Sequence, residues 1–155
     1  MVFPKKWLMN PKRNNILIAY ATIGNMGITN LKVKIANPAK PNIFEDIYFM
    51  VDSGAVYSVV DQKILKKLGI KPISEKEFSL ANGDVIKRKL GGAIYMYADE
   101  KGHAPVIFGE KGDSNLLGAV TLESLGLILD PIKRRLLNLP MVLGNLKRKN
   151  LKIGS

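Results

Sequence analysis

Apolar and polar residues alternate one for one through Leu31-Lys32-Val33-Lys34-Ile35, the period of a strand that buries one face. Ile43 to Val51, rich in β-branched and aromatic residues, predicts a second strand. Asn37-Pro38-Ala39-Lys40-Pro41-Asn42 between them has the chemistry of a loop. The two strands are therefore expected to form an antiparallel hairpin with a long connection. The period then lengthens. From Asp61 to Gly69, the residues Ile64, Leu65 and Leu68 share one face of a short helix, with Asp61 as candidate N-cap and Gly69 as the stop.

Phe78 to Ile86 reads as strand, turn and strand, because Asn82-Gly83 between apolar runs is a strong hairpin signal. Gly91-Gly92 is expected to interrupt the second arm. Ala93 to Ala98 and Pro105 to Gly109 predict two more strands around a turn that holds His103. Leu116-Leu117-Gly118 is a short apolar run, and Thr121 to Leu125 a helical turn closed by Gly126. Leu127-Ile128-Leu129 and Arg135-Leu136-Leu137 form a last hairpin across an Asp130-Pro131 turn. Many short strands with one or two short helices make the fold class mostly β.

Hydrophobic residues make up 46% of the 155, enough for one domain with its own core. The patterned elements place that domain at residues 27–140. Residues 1–26 read as a basic N-terminal arm or an extra strand, and 141–155 as a basic C-terminal tail. Ile16 to Gly24 has the length of a signal-peptide apolar region, but no small-residue cleavage site leads into a polar start. It is too short to cross a bilayer, so no membrane partner is expected. The chain has no cysteine, which excludes disulfides, thiolate metal sites and cysteine nucleophiles, and fits a reducing, cytoplasmic location. One histidine, His103, rules out a metal site built from several; no cofactor or metal is expected.

Charge alters this picture only in part. Lysine and arginine number 24 against 13 acids, a net +11 that favours acidic partners. The basic residues are spread along the chain, without a basic helix or an aromatic-basic stacking motif, so they read as a solvated face. Nucleic-acid binding remains the lesser alternative.

Phe49-Met50-Val51-Asp52-Ser53-Gly54-Ala55 carries the candidate chemistry. A carboxylate ends an apolar strand, where desolvating an unpaired charge is costly. A hydroxyl that can brace a neighbouring loop follows, and then a glycine that permits close backbone approach. Asp-[Ser/Thr]-Gly arises by chance in roughly one chain in fifteen of this length, and a plain β-turn would also account for it. Context separates the two readings: the strand before it, and the run Val56-Tyr57-Ser58-Val59-Val60 leading into the helix.

In that context the sequence resembles the retropepsin-like aspartic proteases, in particular their small prokaryotic and archaeal members. Val51 to Ala55 looks like the catalytic loop, Leu80 to Val85 like the hairpin flap, and Leu116-Leu117-Gly118 with its helix like the crossed-loop partner. The resemblance implies a closed β-barrel of the acid-protease fold with one lobe per chain. It implies catalytic roles for Asp52, Ser53 and Gly54, and substrate contacts from Ala55 and from Ala81, Asn82, Gly83 and Asp84 at the flap tip. It departs from viral members, which commonly follow the Ala with Asp and the later Gly with Arg. Here those positions are Val56 and Ala119. The family's chemistry needs two carboxylates sharing a proton. This chain has a single Asp-Ser-Gly, with Glu110 and Asp113 reading as solvated turn residues. The expectation is therefore an aspartic endopeptidase that acts on peptide or protein substrates as a homodimer. The alternative is a catalytically silent dimeric binding module of the same fold.

Overall fold

Burial follows the alternation: Leu31, Val33 and Ile35 are buried while Lys32 and Lys34 between them are exposed. The computed structural model describes residues 22–23, 29–130, 132–140, 143–144 and 146–147. In chain order its elements are β1 (Thr22–Ile23), β2 (Thr29–Asn37), β3 (Lys40–Val51), β4 (Ser58–Asp61), α1 (Gln62–Lys67), β5 (Ser74–Ser79) and β6 (Val85–Tyr97). β7 (Glu100–Gly109), β8 (Leu116–Leu117), α2 (Ala119–Ser124), β9 (Leu127–Asp130) and β10 (Arg135–Asn138) complete them. The protein is mostly β with two short helices, as its patterning predicts.

Eight strands form one sheet in the order β1-β2-β3-β8-β4-β7-β6-β5, and β9 pairs with β10 separately. β2 also pairs with β6, Lys34 to Ala36 opposite Met96 to Ile94. Hydrogen bonds therefore run in a circuit from β2 through β3, β8, β4, β7 and β6 back to β2. Inside it lies one apolar cluster that includes Val33, Ile35, Phe49, Val60, Tyr95, Val106 and Leu117. Burying each large apolar side chain of this kind stabilises the fold by about 1.5–3 kcal/mol. Phe49 and Tyr95 meet as a tilted pair with ring centroids 6.3 Å apart. Among the described residues no helix is long and apolar enough to cross a membrane.

Several expectations require correction. The β2–β3 connection is short, since only Pro38 and Ala39 form the turn. Asn37 makes the tight turn possible, its Oδ1 accepting from the Ala39 N–H at 2.9 Å. Pro41 falls where the register shifts between Ala36 and Asn37, so its missing N–H costs no ladder bond. Gly91-Gly92 does not interrupt β6, because cross-strand pairing to Val106 and Pro105 carries the strand through both glycines. His103 lies in β7 opposite Ile94, not in a turn; the turn is at Ala98-Asp99, with Ala98 at φ 52°. β5 begins at Ser74, ahead of the expected start at Phe78, and its four first residues are exposed on both faces.

The helix over Asp61 to Gly69 forms as predicted: Asp61 Oδ1 accepts from the Lys63 N–H at 2.8 Å. The last hairpin also forms, with Leu136 opposite Leu129. Of the Ile16 to Gly24 run, Thr22 and Ile23 are paired as a strand with β2. The rest of that run, the arm at 1–14 and Pro131 lie outside the described residues.

Candidate active site

Asp52 leaves the end of β3, where three buried residues in alternation (Ile47, Phe49, Val51) fix the strand against the core. Its backbone is held from the opposite side of the chain. β3 pairs in parallel with β8, Val51 opposite Leu117, and the Asp52 N–H donates to the Leu117 carbonyl at 3.0 Å. The Met50 N–H donates to the Asn115 carbonyl at 2.9 Å. The carboxylate is exposed in the chain, and its Oδ1 accepts from the Gly54 N–H at 2.9 Å. The Ala55 N–H then donates to the Asp52 carbonyl at 3.1 Å, closing the turn.

The segment after that turn crosses the one after β8. Ala119 N–H donates to the Ala55 carbonyl at 2.8 Å, and Val120 N–H to the Val56 carbonyl at 3.0 Å. Val56 and Ala119 both take part in this crossing through backbone, with Val120 and Ala55 respectively as their partners. Gly118 sits at the crossing. A Cβ there would lie 2.6 Å from the carbonyl carbon and oxygen of Tyr57 and 3.0 Å from the Ala55 oxygen, so no side chain fits. Beneath the crossing, Ser58 and Thr121 are fully buried with their hydroxyls 2.6 Å apart, and Ser58 Oγ accepts from the Gly118 N–H at 3.0 Å. Tyr95 donates to the Pro105 carbonyl at 3.2 Å, and burial pushes its phenol well above the ordinary range. A buried polar network that satisfies its members fixes one arrangement of the chain.

Asp52, Gly54 and Ala55 border a cleft of about 620 Å3. The floor and sides include Tyr57, Val59, Ile107 and Leu116; the roof is the β5–β6 hairpin through Glu77, Phe78, Leu80, Ile86 and Arg88. Tyr57 from below meets Phe78 from above edge to face, centroids 6.4 Å apart at 83°. A largely apolar cleft of this size with a few polar groups at its edge suits a ligand with apolar side chains.

The tip of the β5–β6 hairpin forms as the Asn-Gly signal predicts. Leu80 N–H donates to the Asp84 carbonyl at 2.8 Å, Asp84 N–H to Asn82 Oδ1 at 2.9 Å, and Gly83 takes φ +90°. Ala81, Asn82, Gly83 and Asp84 are all exposed and do not border the cleft; the arms of the hairpin do. Ser53 is exposed beside Asp52, and among the described residues its hydroxyl has no hydrogen-bond partner. Among the described residues no three of His, Asp and Glu converge to hold a metal ion.

The sequence did not point to Arg88 or Asp113 as cleft residues, and both border it. Arg88 Nε and Nη2 donate to the two oxygens of Asp113 at 2.7 and 3.1 Å, and Nη1 lies 2.6 Å from Glu110 Oε2. Asp113 is an exposed loop residue, as expected, but its carboxylate is paired, the side chain keeping 24% of its exposure; the Arg88 hydrogen bond holds its pKa below the usual range. A signal existed. Ile86, Arg88 and Leu90 alternate on one face of β6, which puts a cation on an otherwise apolar face.

No family model matches the chain, and no curated protein sequence matches it. Among solved structures, a crystal structure of a retropepsin-like aspartic protease from Rickettsia conorii superposes with a TM-score of 0.55 at 22% identity, covering 79% of this chain and 89% of that one. The solution structure of a simian foamy virus protease gives 0.43 at 18% identity, over 61% of this chain and 92% of that one. The chain has a retropepsin-like fold.

Proposed function

We propose that this retropepsin-like chain is an aspartic endopeptidase, active as a homodimer in which the two Asp52 carboxylates meet at the symmetry axis. The observation that carries this reading is the setting of Asp52. A carboxylate whose backbone hangs rigidly from β8 is left exposed at the edge of an apolar cleft under a β-hairpin. An acid held so firmly, yet with no basic side chain paired to it among the described residues, is arranged for a partner.

The chemistry follows from the pairing. Two carboxylates at contact distance resist double ionisation and hold one proton between them, as aspartic-protease dyads are known to do. The ionised member takes a proton from a water, and that water attacks the peptide carbonyl. The protonated member donates to the carbonyl oxygen as charge develops there. Ser53, exposed next to Asp52, braces the partner's loop by hydrogen bonding. Gly54 leaves room for close approach of the substrate backbone, and Ala55 lines its path. The flap tip at Ala81 to Asp84 reaches an extended peptide when the hairpin closes, adding strand-like hydrogen bonds. The domain is assigned to residues 27–140, with Thr22 and Ile23 of the N-terminal segment adding β1 to its sheet edge.

Asp52→Asn keeps the shape and the Gly54 hydrogen bond but cannot share a proton. The variant is expected to lose peptide cleavage while sedimenting as the same dimer. Cleavage at the wild-type rate would overturn the assignment.

A further inference from the structure

The roof of the Asp52 cleft has little core of its own. Phe78 is the one residue of β5 that is even half buried, so apolar burial alone does not hold the hairpin in place. Arg88 supplies another hold. Its side chain keeps 16% of its exposure, against 66% for the neighbouring Lys87. From β6 it reaches the segment between β7 and β8, where both oxygens of Asp113 accept from it. Asp113 is itself fixed, its Oδ2 accepting from the Glu110 N–H at 2.8 Å. Two residues on, the Asn115 carbonyl holds Met50, and the Leu117 carbonyl holds Asp52. One stretch of five residues therefore carries both the hairpin's anchor and the acceptors from which the Asp52 loop hangs.

We propose that Arg88 is a positioning residue that sets the height of the hairpin above the Asp52 carboxylate, by clamping β6 to the segment that suspends Asp52. The clamp deepens the endopeptidase reading, although its geometry stands without it. A two-pronged guanidinium–carboxylate contact fixes angle as well as distance. A lysine ammonium, a point charge on a flexible stem, would fix neither. Arg88 also borders a second pocket of about 90 Å3 with Glu75 and Lys89, so its side chain touches both that pocket and the cleft.

Hydrogen exchange on the full chain tests this in Asp113→Asn, which keeps the side-chain shape and removes the charge, and in Arg88→Lys. Amides of 74–79 and 85–90 are expected to exchange about tenfold faster or more in both. Those of Met50, Asp52 and Leu117 are expected to keep wild-type rates, because the crossing beneath them is intact. A uniform rise across the chain would reduce Arg88 to general stability, and an unchanged hairpin would remove the clamp; either overturns the proposal. This readout needs no catalysis, so it survives or fails apart from the protease reading. On a fluorogenic peptide with apolar residues flanking the scissile bond, Arg88→Lys should raise KM about tenfold and leave kcat within about threefold. An equal loss in kcat with KM unchanged would contradict a role in holding the roof.

Discussion

The two walls of the cleft are built on opposite principles. Below, Asp52 donates to β8 and the segment after β8 donates back to the Asp52 loop, over a buried Ser58–Thr121 pair and with no room for a side chain at Gly118. Above, β5 and the first residues of β6 are mostly exposed; besides the continuation of β6 into the sheet, they are held by side-chain contacts that include Arg88 with Asp113 and Glu110, and Phe78 against Tyr57. Stability within a fold is uneven, and segments that must move come from its weaker end. On the proposed reading, a rigid floor would keep the carboxylate where chemistry needs it, and a lightly fastened roof would open for an extended chain and close again.

A pair of glycine substitutions would break or sharpen this contrast most widely. Gly118→Ala forces a Cβ against Tyr57 and Ala55 backbone that cannot yield. It is expected to cost about 3 kcal/mol or more in denaturant unfolding, and to loosen the Asp52 loop first. Gly83→Ala meets nothing within 4 Å and suffers only from its φ of +90°. Its cost should be about 1 kcal/mol and confined to the hairpin tip. Equal costs would mean that the two walls are not differently built.

Between these extremes lies the Arg88–Asp113 contact, with an expected contribution of about 1–2 kcal/mol. Its pH dependence has a definite sign. The Arg88 hydrogen bond lowers the folded pKa of Asp113 from 3.8, so the contribution is present above that value and is lost as pH falls through the lowered one. Unfolding of wild type and Asp113→Asn should therefore differ at neutral pH and converge in acid below 3.8. A difference that persists undiminished at the lowest pH would show that charge is not what fastens the roof.

The floor was more legible in the sequence than the roof, for a physical reason. Asp52-Ser53-Gly54 after an apolar strand, and Leu116-Leu117-Gly118 before a helical turn, are contiguous and carry their own chemistry. Asn82-Gly83 marked the tip of the hairpin because turn types are selected locally. The start of β5 at Ser74 was not legible, since Ser74-Glu75-Lys76-Glu77 is exposed on both faces and shows no alternation. Arg88 and Asp113 are 25 residues apart, and nothing local pairs them. Ser58 and Thr121, 63 residues apart, were hidden for the same reason. Pro41 and Gly91-Gly92 misled because pairing across the sheet overrides the local signal of a breaker. The 620 Å3 cleft is lined by residues from several separate segments and could not be read from any one of them.

The central claim is that two chains build one site from a single aspartate each. The most direct measurement is titration of the active enzyme with a tight transition-state-analogue inhibitor of aspartic proteases, with the molar mass determined in the same solution. The account predicts a dimer that binds one inhibitor for every two chains, and no binding by Asp52→Asn. One inhibitor per chain on an active monomer would contradict it.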